Sequence, residues 1–332
     1  MKCTEDSPFV LVSSPPMNEF GDELCCHLNT LGAIIPHYKL ELTTFANGEI
    51  LPHIPHTIRH QHVFFLHALQ QPDPNTAMMT LLLANDAMRR AAASGITLVL
   101  PYIPYLRQDR KDKPRVPISA RMIADLIESN DAVKGVITID MHAEQEQGFF
   151  SVPVDNLTGI RVFSEHVREK FGDNLPDLVM LAPDFGGAVR NRRFAHTLGD
   201  IPVSILEKRR TGANKAEILN VIGESVEGKI VIMYEDMIDT GGTAIKSITK
   251  LMEEKKPPRQ IYLCATHGIF SGNAKENFRE NDIRVACTDS IPRLPIYYAI
   301  EHWLTKVSIA SYFADAIFEA MQMGGSISKL SQ

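Results

Sequence analysis

Residues 229–243, KIVIMYEDMIDTGGT, constrain the fold of this chain more than any other segment. Four apolar residues at 230–233 predict a buried parallel strand, and two carboxylates, Glu235 and Asp236, follow it. Asp239 and a small, hydroxylated run come next. Residues 244–256 contain no Gly or Pro, which predicts a helix. The segment therefore predicts a strand, a tight turn and a helix, the repeating unit of α/β proteins.

The turn in this segment has the composition of an anion-binding site. It consists of Thr240, Gly241, Gly242 and Thr243. Backbone N–H groups at a helix N-terminus point at a ligand, the helix dipole favours negative charge there, and glycines let the backbone approach closely. The acids before the turn suit ribose hydroxyls or a Mg²⁺ bound to them. The alternative is an ordinary α/β turn with solvated acids.

Length and charge limit the organisation and the partners of the chain. Its 332 residues, 44% hydrophobic and 22% charged, suit two α/β domains. The net charge of −6 does not support a nucleic-acid partner. We expect no membrane span and no signal peptide. Five cysteines without metal-type spacing favour a reduced, cytoplasmic location.

Short apolar runs alternate with helical stretches and predict parallel sheets. The predicted strands are 63–66, 96–100, 136–139, 178–181, 203–206, 230–233 and 261–265. A helix is predicted over 76–94, with Gly95 as its stop. A turn-rich run at 152–159 lies near the midpoint, so we place domains at 1–157 and 158–332.

The two halves share a pattern, because each contains a buried strand that ends in acid or His. In the first half these residues are Asp140 and His142, and in the second they are Glu235 and Asp236. Ligands collect at the carboxyl ends of parallel strands. We therefore predict two similar domains with facing strand ends.

Three further segments place polar groups after predicted strands. Residues 107–115 carry five basic and two acidic side chains, and Arg107 and Gln108 suit phosphate oxygens and a base edge. A solvated loop is the alternative. His142 suits a divalent metal that carries nucleotide phosphates, although a lone His is often structural. Asp184 precedes two glycines, in a segment that suits a diphosphate and a metal.

Lys208 and Arg210 lie two residues apart in a basic, turn-rich segment. In an extended chain this spacing places both cations on one side. Two mobile cations that close over a reacting phosphate would stabilise the charge during its transfer. A solvated loop is the alternative unless the rest of the site is present.

Together these segments resemble the ribose-phosphate pyrophosphokinase family, also called PRPP synthetases. The resemblance runs over nearly the whole chain and includes residues 45–49, 107–113, 140–143, 147–150, 153–157, 183–187, 208–210, 236–243 and 266–272. Segment 236–243 is shared with type I phosphoribosyltransferases. Segments 107–109 and 266–272 are far more specific to the synthetases.

The resemblance implies an α/β fold with two type I phosphoribosyltransferase-like domains, each with a central mainly parallel sheet flanked by helices. It implies a Mg²⁺-dependent ribose-phosphate diphosphokinase for nucleotide biosynthesis. Such an enzyme transfers the β,γ-diphosphoryl group of ATP to the anomeric hydroxyl of ribose 5-phosphate, giving PRPP and AMP. The N-terminal domain would bind ATP, and the C-terminal domain would bind ribose 5-phosphate.

The resemblance also implies roles for single residues. These are ATP contacts by Phe45, Asn47, Glu49, Arg107 and Gln108; ribose 5-phosphate contacts by Glu235, Asp236, Asp239, Thr240, Gly241, Gly242 and Thr243; metal contacts by His142 and Asp184; and catalysis by Lys208 and Arg210 on a flexible loop. The 45–49 segment resembles one that a neighbouring subunit lends to bind adenine. A homo-oligomer of at least two subunits is therefore implied, with a hexamer as the larger alternative.

Three positions depart from the family pattern. Glu235 stands where Asp is usual, so a carboxylate is kept. Glu144 stands where Ser is frequent in a phosphate-activator site, and a carboxylate there would repel phosphate. Ser331 stands where an aromatic residue is common. Weak activation by phosphate and weak inhibition by ADP at that site are therefore expected.

Two other functions stay open at this point. A phosphoribosyltransferase that consumes PRPP would explain 236–243, but it needs only one domain. It leaves 107–115, His142 and 266–272 unexplained. A non-enzymatic protein that binds PRPP synthetase subunits would tend to lose catalytic segments. The chain keeps Lys208, Arg210, His142 and Asp184.

Overall fold

The computed structural model describes residues 7–212, 215–293 and 295–331, with the backbone alone at 173, 208–212, 215–219, 243, 295–296, 300 and 331. Within them the chain forms two compact units. The first unit comprises the residues up to Thr158, Ser290–Pro292 and the residues from Ile309 onwards. The second unit comprises Gly159–Asp289 and Arg293–Ser308.

The first unit is built on a six-stranded parallel sheet with the order β2-β1-β5-β6-β7-β8. Its elements are β1 (Phe9–Ser13), α1 (Asn18–Thr30), β2 (His37–Lys39), β3 (Glu41–Thr44), β4 (Ile50–His53), β5 (His62–Leu66), α2 (Pro74–Arg90), β6 (Gly95–Val99), α3 (Ser119–Ile127), β7 (Val133–Ile139) and β8 (Val154–Leu157). Strands β3 and β4 form a separate antiparallel hairpin. Val63, Phe64 and Phe65 on β5 are all buried, so both faces of this central strand are covered, as parallel sheets require.

The second unit is built on a seven-stranded sheet with the order β11-β10-β9-β12-β13-β14-β15. Its elements are α4 (Ile160–Phe171), β9 (Leu178–Ala182), α5 (Ala188–Thr197), β10 (Val203–Gly212), β11 (Lys215–Ile222), β12 (Ile230–Ile238), α6 (Gly242–Met252), β13 (Gln260–Gly268), α7 (Ala274–Glu280), β14 (Arg284–Thr288), α8 (Pro295–Ile300) and β15 (Leu304–Val307). All neighbouring pairs are parallel except β10 and β11. Buried apolar clusters lie on both faces of this sheet. No helix in the described residues is long and apolar enough to cross a membrane.

The last helix, α9 (Ala310–Met321), belongs to the first unit. The Phe313 ring packs edge-on against Phe20 of α1, with 6.0 Å between the ring centroids. The domain predicted at 158–332 differs from this division, because the apolar face of α9 is buried against α1.

The helix predicted over 76–94 is shifted in the structure. Helix α2 begins at Pro74, because the Asp73 carboxylate accepts the N–H groups of Asn75 and Thr76 at 2.9 and 3.1 Å. The helix ends at Arg90, and Ala92 takes the left-handed conformation, with φ +61°, that glycine usually supplies. Gly95 is the first residue of β6 and does not stop the helix.

Strand β12 is longer than the predicted 230–233. It continues through Ile238, because its ladder with β13 runs on to the pair Ile238 and Gly268. Its pairing with β9 ends at Ile232. Glu235 and Asp236 are therefore strand residues, and α6 follows at Gly242.

Candidate active site

Asp236 is held by an ion pair near the carboxyl end of β12. Arg190 on α5 places Nη1 at 3.1 Å from Asp236 Oδ1, and the side chains are 27% and 11% exposed. The neighbouring Asn191 is buried, donates Nδ2–H to the Tyr234 carbonyl at 3.1 Å and accepts the Tyr234 N–H at 3.2 Å. Helix α5 is thereby fixed against β12, and the carboxylate is oriented at the edge of the sheet.

Gly241 and Gly242, in the turn after β12, meet different surroundings. Gly241 has φ +69°, and a Cβ there would come within 2.6 Å of Phe278 Cε2. At Gly242, the first residue of α6, a Cβ would meet only Thr240 Oγ1, at 4.0 Å. Gly241 is thus required by the protein's own packing, whereas Gly242 leaves room for a ligand at a helix N-terminus.

Asp184 follows the neighbouring strand β9. Its Oδ1 accepts the N–H of Gly187 at 2.9 Å, just before α5 begins, and the residue is exposed. Because β9 and β12 are parallel neighbours, their carboxyl ends lie at the same edge of the sheet. Three or more ligating side chains suitable for a metal do not cluster anywhere in the described residues. One exposed carboxylate suits a cation that arrives with phosphate ligands of its own.

Lys208 and Arg210 lie in strand β10, in an antiparallel hairpin with β11. Their backbones pair with Ile218 and Ala216, with register shifts on either side. The predicted loop is therefore strand at these positions. Their side chains lie outside the described part of the structure.

In the first unit, the predicted ATP-binding residues Arg107 and Gln108 follow β6 in an exposed segment. The Ser119 hydroxyl at the start of α3 donates to Gln108 Oε1 at 2.5 Å, which fixes the amide. Asp109 Oδ2 lies 3.5 Å from Gln145 Nε2, in the segment that follows β7. The segments that follow the parallel neighbours β6 and β7 therefore contact each other.

His142 lies in that same segment and is exposed. Before it, Asp140 is nearly buried, has φ +42° and donates its N–H to the Leu157 carbonyl at 3.0 Å. Met141 donates its N–H to Asn156 Oδ1 at 3.1 Å. The backbone beside His142 is thus fixed by β8.

Phe45, Asn47 and Glu49 meet in the β3–β4 turn. The turn closes through the Phe45 N–H, which donates to the Glu49 carbonyl at 2.8 Å, and Asn47 Oδ1 accepts the Glu49 N–H at 3.1 Å. Beside it is a groove of about 640 Å³, lined by Phe45, Asn47, Gly48, Glu49 and Ile50 of the turn and by Asn75, Thr76, Met79 and Leu83 of α2. The Tyr105 hydroxyl donates to Asn75 Oδ1 at 2.5 Å, so the groove is connected to the segment that leads to Arg107.

Comparisons with known proteins agree over both units. Residues 9–130 match the N-terminal domain of ribose phosphate pyrophosphokinase, and residues 200–331 match the phosphoribosyl synthetase-associated domain. Ribose-phosphate pyrophosphokinase of Vibrio cholerae serotype O1 is 43% identical over 278 residues, which are 83% of this chain and 86% of that protein. The protein of the same name from Oceanobacillus iheyensis is 37% identical over 317 residues, 95% of this chain and 94% of its own. The chain belongs to the ribose-phosphate pyrophosphokinase family.

A solved structure supports the same assignment. The crystal structure of phosphoribosylpyrophosphate synthetase from Mycobacterium smegmatis superimposes with a TM-score of 0.79 at 30% identity, covering 94% of this chain and 99% of that one. The family resemblance drawn from the sequence is therefore confirmed, and so is the fold class with mainly parallel sheets.

Sequence reasoning gave no specific role to several residues that shape this pyrophosphokinase-family site. Neither Arg190 nor Asn191 was assigned a role from the sequence; their position shortly after the Gly186–Gly187 pair was the available signal. His67 was also missed. It follows β5, donates Nε2–H to the Ala77 carbonyl at 2.9 Å, and burial lowers its pKa to about 4. His67 is therefore neutral at physiological pH and holds the start of α2.

Proposed function

We propose that this chain is a ribose-phosphate diphosphokinase, which moves the β,γ-diphosphoryl group of ATP to the anomeric hydroxyl of ribose 5-phosphate. The turn from β12 into α6, where Gly242 leaves backbone room at a helix N-terminus, is the observation that carries the sugar-phosphate part of the proposal. The membership of the chain in the pyrophosphokinase family supports the same conclusion.

The sugar phosphate is assigned to the turn. The 5-phosphate would accept N–H groups at the start of α6, and the hydroxyls of Thr240 and Thr243 are proposed as further donors. Asp236, with Glu235 beside it, is proposed to accept the ribose hydroxyls. Its ion pair with Arg190 supports this assignment, because the pair orients the carboxylate.

The nucleotide is assigned to the first unit. The groove beside Phe45 has the size and the apolar lining of a site for a flat ring, and Asn47 and Glu49 lie at its rim. Arg107 is proposed to hold phosphate oxygens bidentately, and the fixed amide of Gln108 is proposed to contact the base.

The reaction needs positioning and charge neutralisation more than covalent chemistry by the protein. The anomeric hydroxyl releases its proton to water as its oxygen forms a bond to the β-phosphorus. The bond from that phosphorus to the bridging oxygen of the α-phosphate breaks, and AMP leaves with the bridging oxygen. Lys208 and Arg210 are proposed to stabilise the charge during this transfer. Mg²⁺ ions bound to the phosphates would neutralise charge. Asp184 in the second unit and His142 in the first are each proposed to contact such an ion.

We further propose a homo-oligomer of at least two subunits. Phe45, Leu51 and Met79 are large apolar side chains that are each about half exposed on the hairpin and on α2. Such a surface suits a second copy of the chain. Sedimentation at several protein concentrations gives the stoichiometry, and a monomer throughout would reject this proposal. A cytoplasmic location stays a prediction.

One incubation tests the activity and separates the alternatives. The protein is mixed with ribose 5-phosphate, ATP and Mg²⁺, and the products are separated by anion exchange. Stoichiometric AMP and PRPP support the diphosphokinase. Consumption of added PRPP with a nucleobase would indicate a phosphoribosyltransferase. No turnover alone, with stimulation of an active pyrophosphokinase on mixing, would indicate a regulatory subunit.

A further inference from the structure

A set of four side chains packs against the turn that precedes α6. We call Phe278, Arg279, Glu301 and Trp303 the support stack. Phe278 on α7 is fully buried, and its ring edge contacts Gly241, since a Cβ there would lie 2.6 Å from Phe278 Cε2. The left-handed backbone of Gly241 therefore follows the surface of this ring.

Trp303 continues the support stack away from the turn. Its ring lies nearly parallel to Phe278, with 5.2 Å between the centroids and 12° between the planes, and it is 4% exposed. Its Nε1–H donates to Glu301 Oε2 at 2.6 Å. The hydrogen bond fixes the rotation of the indole, and the indole fixes Phe278.

The last member of the support stack is Glu301, whose carboxylate is held by Arg279. Arg279 Nη2 donates to both Glu301 oxygens, at 2.8 and 2.9 Å, and the Glu301 side chain is only 5% exposed. Burial raises the pKa of Glu301, but the hydrogen bonds from Arg279 and Trp303 lower it below its ordinary value. The Arg279 side chain is 60% exposed, and a partly exposed ion pair adds little net stability, so its orienting effect is the more important one.

The same indole supports a second segment beside the turn. Phe270 has φ +54°, a strained conformation for an aromatic residue, and its ring meets Trp303 edge-on with 5.2 Å between the centroids. The next residue, Ser271, donates its N–H to the Asp239 carbonyl at 3.1 Å. Trp303 thus contacts both segments that hold residues 239–241 in place.

We propose that Trp303 and Glu301 are positioning residues for the sugar phosphate. They act through Phe278 and Phe270 and hold the backbone of residues 239–243 in its anion-binding conformation. This inference rests on the proposed assignment of ribose 5-phosphate to that turn. Because Trp303 and Glu301 are buried, they act on the ligand only through the backbone.

Three substitutions test the stack in graded steps. Trp303→Phe keeps an aromatic ring but removes the indole N–H. Glu301→Gln keeps an oxygen that accepts from Trp303 but removes the charge beside Arg279, and Glu301→Ala removes both. We expect the Kd for ribose 5-phosphate, by calorimetric titration, to rise about tenfold in Glu301→Ala and less in Glu301→Gln. The Kd for ATP should stay within about twofold, and the KM for ribose 5-phosphate should rise more than kcat falls.

Phe171→Leu is the matched control for lost packing. Phe171 is buried in the second unit and contacts Tyr262 on the other side of the sheet, with 5.5 Å between the ring centroids. It should lower Tm as the stack variants do, yet leave the Kd for ribose 5-phosphate unchanged. If the stack variants also lower Tm but keep the Kd within about twofold, the inference is wrong.

Failure of the proposed ligand site gives a different result. In that case the unsubstituted protein does not bind ribose 5-phosphate, or Gly242→Val leaves the binding intact. Either result would contradict both the assignment of ribose 5-phosphate to the turn and the support-stack inference. If Gly242→Val weakens binding but neither Trp303→Phe nor Glu301→Ala does, only the support-stack inference falls. Should Trp303→Phe fail to fold, the Glu301→Gln and Glu301→Ala pair decides.

Discussion

After β12 the chain passes through two glycines into α6, a helix of 11 residues, whereas after β7 it passes through Asp140 into a six-residue 3-10 segment, Glu144–Phe149. The sequence predicts these two strand ends as similar, because each carries acids after a buried strand. A long helix brings aligned dipoles and N–H groups to its first turn. A short segment that begins with Glu144 brings negative charge to the same position.

The difference between the two strand ends indicates that the element after a strand determines what the strand end binds. In the second unit the helix itself suits an anion. In the first unit the positive charge comes from residues 107–113, after the neighbouring strand β6. Of the four predictions below, the first concerns the hairpin outside both strand ends, and the other three concern the strand ends themselves.

The largest effect is expected away from both strand ends, in the β10–β11 hairpin. Lys208→Ala should lower kcat by about two orders of magnitude, the scale of losing one oriented charge stabiliser. The affinities for ribose 5-phosphate and ATP should stay within about twofold, because the cation acts on charge in transfer. Initial rates and separate titrations of the two ligands measure both quantities.

Arg209→Ala is the matched control, since the period of two in a strand separates position 209 from 208 and 210. It should retain most of kcat. A Lys208→Ala protein with kcat within a few-fold of the unsubstituted protein would remove Lys208 from the transition state.

The next effect separates the two glycines of the anion turn. Gly242→Val should weaken ribose 5-phosphate binding about tenfold or more and leave ATP binding intact, because its side chain occupies ligand space. Gly241→Ala should instead destabilise the fold by about 1–2 kcal/mol from its backbone conformation alone, in addition to the contact with Phe278. Calorimetric titration and urea unfolding distinguish the two results.

Gly148→Val provides the control at the other strand end. Gly148 lies in the segment after β7, and a Cβ there would meet no atom within 4 Å. Its substitution should leave ribose 5-phosphate binding unchanged. Equal loss of both ligand affinities in Gly242→Val would point to misfolding and break the comparison.

A smaller effect concerns the metal. Asp184→Asn keeps the Oδ1 acceptor for the Gly187 N–H, so the turn before α5 should persist. It removes a hard anionic ligand and should raise the Mg²⁺ concentration for half-maximal rate several-fold. Asp177→Asn removes the same charge at the opposite end of β9, where Asp177 faces Lys229 and Arg259. A magnesium titration identical in Asp184→Asn and the parent would remove Asp184 from the metal site.

The smallest effect is regulatory and belongs to the first unit. Glu144 is exposed, and its charge should repel an activating phosphate by roughly 1 kcal/mol at 4 Å in water. We expect substantial activity without inorganic phosphate and weak allosteric inhibition by ADP, while ADP still competes with ATP. Initial rates across a phosphate series in a non-phosphate buffer check this, and strict dependence on millimolar phosphate would contradict it.

Glu144→Ser should restore part of the phosphate response. Asp131→Ser, which removes an exposed acid elsewhere in the first unit, should restore none.

Local pattern predicted seven strands, because a buried parallel strand needs a continuous apolar run, but it missed others, among them β1, β14 and β15. Residues 63–66 and 178–181 appear as β5 and β9 within one residue at each end. Strand and helix ends were less predictable. Acids at 235–236 do not end β12, since backbone pairing with β13 is indifferent to side-chain charge. Gly95 did not end α2, since Ala92 already takes the left-handed conformation.

The composition of the turn at residues 239–243 could be predicted from the sequence. The side chains that support this turn could not be predicted. The order of acids, threonines and glycines lies within a few residues and indicates its chemistry directly. The separate requirements of Gly241 and Gly242 depend on Phe278, which is distant in sequence. The clamp of Arg279 on Glu301 likewise joins two elements that no local period connects.

The return of α9 to the first unit determines when that unit is completed during synthesis. The apolar face of α1, with Phe20, Leu24 and Leu28, is buried in the finished chain, and Phe313 of α9 packs on it. On a ribosome, α9 emerges about 150 residues after Thr158, a delay on the order of 10 s at about 5–20 residues per second. During that interval the first unit exposes part of its core. A nascent chain stalled before α9 is therefore expected to bind chaperones and to be cleaved by protease within α1. Once synthesis continues through α9, both the chaperone binding and the cleavage should stop.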